Sequence, residues 1–161
     1  MSAKLTLYYF VGSMPSRACV ILSKVLNIPI ELRSINLYER EQHSEWYKKL
    51  NPAKKVPVLV DGDFILTESR AILAYLVDTR HPGSSLYPKD EKKRAAIDER
   101  LHFDGSSVFP KISNVFDLGV ELTEYPKLFN WLKKMQNIPG NDVNKAGAKV
   151  ICDVLGIKSK L

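Results

Sequence analysis

Apolar and polar positions alternate from Leu5 to Tyr9, the period-2 signature of a half-buried strand. After Phe10-Val11-Gly12 the spacing turns helical: Ala18, Val20, Ile21, Leu22, Val25 and Leu26 recur behind Pro15, which suits a first helical turn. A second strand is expected over Ile30 to Ile35, and Trp46 to Leu50 reads as a short helix or connector. Asn51 to Leu76 then packs four signals into one stretch: Val56-Pro57 ahead of an apolar strand (Val58-Leu59-Val60), an Asp61-Gly62-Asp63 turn, a second strand (Phe64-Ile65-Leu66), and Thr67-Glu68-Ser69 opening an amphipathic helix. Asp-Gly between alternating apolar runs predicts a hairpin, because glycine takes the positive φ that the turn requires. Thr67 is the expected N-cap, with Ile72, Leu73, Leu76 and Val77 at helical spacing behind it.

A strand, helix and strand in succession predict a right-handed parallel βαβ unit, and ββα after it completes the order of a thioredoxin-like α/β domain over 1–82. Turn chemistry from His81 to Asp90 marks a linker at 83–90. The remainder, 91–161, reads as an all-α domain: a helix from Glu91 with Ile97, Leu101, Val108 and Ile112 on one face, another from Pro126, and a shorter last one over Val143 to Leu155. Gly105 and Pro110 should bend or end the first of these.

The chain of 161 residues is long enough for a real core and carries a formal charge of +6. Its lysines and arginines are scattered without a recognition motif, which points away from nucleic acid and towards attraction of an anionic small ligand. Cys19 and Cys152 lie far apart and the three histidines have no ligand spacing, so no metal site is expected. The first residues lack a signal-peptide pattern and no run approaches membrane-spanning length, so a cytoplasmic protein with reduced thiols and no membrane partner is expected.

A thioredoxin-like fold places its redox dithiol in the turn after the first strand, and there this chain has Ser13-Met14-Pro15-Ser16. A hydroxyl cannot replace a thiolate in disulfide exchange. It can donate its O–H to the thiolate of another molecule, assisted by the dipole of the helix that begins there; the plainer reading of Ser13 is a helix cap.

Together with Ser13-Met14-Pro15-Ser16-Arg17, the segments Asn51 to Pro57, Asp61-Gly62-Asp63-Phe64 and Thr67 to Ile72 resemble the cytosolic glutathione S-transferases. Glu68 to Ile72, Ser85-Leu86-Tyr87-Pro88 and Arg100 to Asp104 resemble the insect delta and epsilon classes, and Lys54 to Pro57 with Asp61 to Phe64 resembles theta. The resemblance implies that Ser13 hydrogen-bonds the glutathione sulfur and that Val56, ahead of a cis Pro57, pairs its backbone with the cysteinyl part of the tripeptide. It implies that Glu68 and Ser69 hold the γ-glutamyl end with Arg70 assisting, and that His43, Lys54 and Lys55 address the glycine carboxylate. Lys54 stands where the delta and epsilon chains carry a histidine. Phe109, Ile112 and Phe116 would line an apolar site for a hydrophobic electrophile. Glutathione is then a co-substrate, no cofactor is needed, and a homodimer through the hairpin and the helix after it is expected.

Phe116 to Val120 runs almost directly into Glu124 to Leu128, so the middle helices of the family's second domain are absent and apolar faces should be left uncovered. Conjugation of glutathione to electrophiles is the leading function. A glutathione-binding protein without turnover is the alternative, and a structural dimerisation domain is a third, disfavoured because it needs no Ser13, Glu68 and Ser69 together.

Overall fold

The computed structural model describes residues 4–111 and 126–155. They fall into two compact units, Met1–Leu76 with Pro139–Leu161, and Val77–Ile138. The first is built on a four-stranded sheet in the order β2-β1-β3-β4, with β1 at Leu5–Tyr9, β2 at Ile30–Ser34, β3 at Val58–Asp61 and β4 at Phe64–Thr67. β1 and β2 are parallel and β3 is antiparallel to both β1 and β4, as the βαβ-ββα reading requires.

Helix α1 (Met14–Val25) crosses between β1 and β2. It buries Ser16, Cys19, Val20 and Ser23, an i, i+3, i+4, i+7 stripe. It ends where Asn27 turns left-handed (φ 50°), and the Ile28 and Asn27 N–H groups return to the carbonyls of Ser23 and Lys24 at 2.8 and 3.2 Å. This paired closure satisfies two carbonyls of the last turn. Strand alternation then divides the core. Leu5, Leu7 and Leu59 meet Cys19, Val20, Ile28, Ile72 and Leu76 on one face, while Val58, Ile35 and Tyr47 form a smaller cluster on the other. Tyr47 comes from α2 (Glu45–Leu50), a short helix preceded by a 3-10 turn at Glu41–His43.

The hairpin turns at Gly62, whose φ is 61°, with Asp61 paired to Phe64. Thr67 does not cap the following helix. It pairs with Val58 as the last residue of β4, so its backbone belongs to the ladder, and helix α3 (Ser69–Arg80) begins after Glu68. Glu68 lies at φ +67° and its carbonyl takes the Ile72 N–H at 3.0 Å.

In the second unit Arg94 grips Asp78 through both oxygens at 2.8 and 2.9 Å, donates to the Pro88 carbonyl and lies over the Tyr87 ring. These contacts tie residues 87 and 88 to α4 (Glu91–Phe103), which Asp90 caps by accepting the Lys93 N–H. Ile97, Leu101 and Val108 are half-buried. At Gly105 the helix does not stop but widens into a π turn at Asp104–Val108, after which it continues through Lys111. A π turn absorbs an extra residue without breaking the helix. Helix α5 (Pro126–Met135) follows; Phe103 and Trp131 are both exposed. The junction at 116–125, where middle helices are expected to be missing, lies outside the described residues. The last helix, α6 (Asn141–Leu155), packs on α1 in the first unit.

Candidate functional site

Three chain segments converge at one end of the sheet because of strand register. Tyr8 faces Val58, and Val58 faces Thr67. The outgoing end of β1, which leads to Ser13, therefore lies beside the incoming end of β3 at Val56-Pro57 and the outgoing end of β4 at Glu68-Ser69. Two helices of 12 residues each, α1 and α3, begin from this end.

Ser13 is the N-cap of α1, half-buried, with its Oγ accepting the Ser16 N–H at 3.3 Å and its own N–H donating to the Phe10 carbonyl at 2.9 Å. Since the cap bond uses an oxygen lone pair, the Ser13 O–H remains a donor for a group placed beyond the helix end. Ser16 is fully buried, so the accessible hydroxyl of the pair is Ser13.

The Val56-Pro57 bond is cis, Pro57 is buried and Val56 half-buried. The loop before it is held from within. Tyr47 Oη and Asn51 Nδ2 both donate to the Lys55 carbonyl at 2.8 Å, Asn51 Oδ1 accepts the Ala53 N–H, and Lys54 is left-handed at φ 57°. Tyr47 and Asn51 were not among the residues the sequence singles out. An Asn before Pro52 is a turn signal, but the reach of Tyr47 across the loop is a tertiary fact.

Glu68 is exposed at the start of α3 in a conformation that a non-glycine residue holds only under constraint from its surroundings, and such outliers gather at ligand sites. Ser69 is buried, and its Oγ accepts from Arg70 Nη1 at 3.1 Å. Ser69 also links this turn to α1, its carbonyl facing the Cys19 thiol at 3.8 Å. Burial pushes that thiol up to about 12, so Cys19 is a core group and not a nucleophile.

His43, Lys54 and Lys55 are exposed. Partial desolvation lowers the His43 pKa, and the cations Arg40, Lys54 and Lys48 around it act in the same direction. The patch is thus basic before any ligand arrives and fits a carboxylate. Phe109 is half-buried in the second unit, and Ile112 and Phe116 lie outside the described residues. A cavity of about 380 Å³ lined by Tyr8, Arg33, Ser34, Ile35, Glu41 and Trp46 contains none of the residues expected from sequence. Arg33 there is already paired with Glu31 at 2.9 Å, and Glu41 accepts the Asn36 N–H. Among the described residues no group of three or more His, Cys, Asp or Glu could hold a metal ion, and no helix is long and apolar enough to cross a membrane.

Residues 3–78 match the glutathione S-transferase N-terminal domain. The N-terminal domain belongs to the glutathione S-transferases. Glutathione S-transferase 1 of Manduca sexta is 44% identical over 109 residues, covering 67% of this chain and 50% of that protein. Among solved structures, glutathione S-transferase unclassified 2 from Bombyx mori aligns with a TM-score of 0.84 at 28% identity, covering 98% of this chain and 100% of that one. A glutathione transferase homolog from Drosophila mojavensis with bound glutathione aligns with the same TM-score and identity, covering 96% and 97%. The chain spans about half the length of the curated relatives it matches. Within this glutathione S-transferase domain, the hydroxyl at the start of α1, the cis-proline loop and the α3 N-terminus lie at one end of the sheet.

Proposed function

We propose that the protein conjugates glutathione to hydrophobic electrophiles. The observation that carries this reading is the register that brings Ser13, Val56 and Glu68-Ser69 to one end of the sheet, with two helix N-termini among them. Ser13 donates its O–H to the glutathione sulfur, and the α1 dipole adds to the stabilisation of the thiolate. Val56 pairs its backbone with the cysteinyl residue in the manner of an added strand. The γ-glutamyl carboxylate sits at the α3 N-terminus against Ser69, with Arg70 beside it and the Glu68 carboxylate meeting the α-amino group. His43, Lys54 and Lys55 take the glycine carboxylate. The thiolate then attacks an electrophilic carbon, forming the C–S bond as the leaving group departs with its electron pair. By resemblance to the family, we assign Phe109, Ile112 and Phe116 to recognition of the hydrophobic electrophile.

By chain order we assign 1–82 to the glutathione-binding domain, 83–90 to a linker and 91–161 to a shortened helical domain, although its last helix, α6, clusters with the first unit. We further infer a cytoplasmic homodimer joined along the hairpin and α3. Phe64 and Ile65 are exposed on β4, an edge strand, which supports that surface.

Retention on immobilised glutathione and conjugation of chlorodinitrobenzene by the purified chain test the reading together. Retention with turnover is expected. Retention without turnover leaves a glutathione-binding protein, and failure of both removes the glutathione reading.

A further inference from the structure

Arg17 is 6% exposed, on the first turn of α1 just beyond Ser13, and a guanidinium so placed must find fixed oxygens. It finds three. Nη1 donates to the carbonyls of Val11 and Gly12 at 3.0 Å each, and Nε donates to Asn144 Oδ1 at 3.0 Å. The first two belong to the peptides that lead into Ser13. Because a peptide is planar and trans, aiming the Gly12 carbonyl at Arg17 aims the Ser13 N–H the opposite way, towards the Phe10 carbonyl that accepts it. The bonds thus orient the residue that bears the hydroxyl.

Asn144 is exposed on α6, more than a hundred residues along the chain, and the helix reaches Arg17 only because Gly147 lets it. A Cβ on Gly147 would overlap the Val11 carbonyl oxygen and the Arg17 side chain. Lys24 and Asp142 add a second, exposed tether at 2.6 Å between the same helices.

We infer that Arg17 and Asn144 are positioning residues for the thiol site, and that α6 fixes the Ser13 hydroxyl by holding the Arg17 fork against the Val11-Gly12 peptides. The inference rests on the glutathione reading above. It makes the last helix a working part of the site in the first unit, which neither the domain match over 3–78 nor the site residues expected from sequence include.

Asn144→Ala tests it, since alanine favours helix and leaves α6 intact while removing the acceptor. Misplacing a reacting group by 1 Å can cost about 100-fold, so loss of one link in the clamp should lower kcat about 3- to 30-fold. KM for glutathione should stay within about twofold, because the tripeptide is held elsewhere. Asn144→Asp keeps the oxygen and should restore kcat. Gly147→Ala, which pushes the helix away, should act like Asn144→Ala.

Hydrogen exchange on the ligand-free protein gives a readout that needs no glutathione: the Ser13 amide should exchange faster in Asn144→Ala and return to the wild-type rate in Asn144→Asp. An unchanged Ser13 amide, an unchanged kcat, or a kcat loss that Asn144→Asp does not rescue overturns the inference. A wild-type protein that neither binds nor conjugates glutathione overturns the functional reading instead, and the exchange comparison then decides alone whether Asn144 holds the Ser13 loop.

Discussion

Cys19 is fully buried between α1 and the sheet, and its thiol is pushed from an ordinary 9.0 to about 12 by desolvation. In the unfolded chain the same thiol ionises near 9, so above that pH the unfolded state loses a proton that the native state keeps. The contribution of Cys19 to stability should therefore be complete below pH 9 and fall as the pH rises towards 12, a trend that denaturant titrations of wild type and Cys19→Ala separate. Alkylation of Cys19 should likewise wait for unfolding. Tyr47 makes a different point at the same scale: its aromatic ring fills the smaller core cluster while its hydroxyl holds the Lys55 carbonyl at 2.8 Å. Tyr47→Phe should cost about 1 kcal/mol in denaturant midpoint, moderated because Asn51 still serves the same carbonyl. Ser13 as the cap of α1 was legible in the sequence because it stands in the turn after the first strand, ahead of Pro15. Arg17 was not, because nothing local distinguishes an arginine that solvates a helix face from one buried against carbonyls.

Element boundaries in the first unit followed from punctuation. The strand at Leu5–Tyr9 and the hairpin around Gly62 lie where alternation and the Asp-Gly pair put them. The start of α3 did not, since Thr67 is as good a cap as a strand end and only its pairing with Val58 decides between them. The widening of the long helix at Gly105 was also beyond a pattern that registers glycine simply as a breaker. Gly140, between α5 and α6, sits at φ +84°, and a Cβ there would approach Ile21 Cα to 3.3 Å. Gly140→Ala should lower stability by about 1–2 kcal/mol with an unchanged denaturant slope, because a left-handed residue with a side chain costs that much before any steric displacement.

For the whole molecule, the sequence order βαβ-ββα was sufficient for the sheet, but chain order alone does not reveal that α6 joins the first unit, because that depends on a long-range contact between Gly147 and the Val11 loop. Exposed Phe64 and Ile65 on β4 fit a dimer surface, and sedimentation at micromolar concentration should give twice the chain mass. Replacing Ile65 with a charged residue should shift the same measurement towards one chain mass. The central proposal, that Ser13 stabilises the glutathione thiolate, is tested most directly by the thiol titration of bound glutathione, read as thiolate absorbance against pH in wild type and Ser13→Ala. Loss of a preorganised donor typically costs about 2.7–4 kcal/mol at a fully enclosed anion, and each unit of thiol pKa is worth about 1.4 kcal/mol. The variant should bind glutathione within a few fold of wild type and titrate about one to three units higher. An unshifted titration would contradict the proposal and leave Ser13 as a helix cap alone.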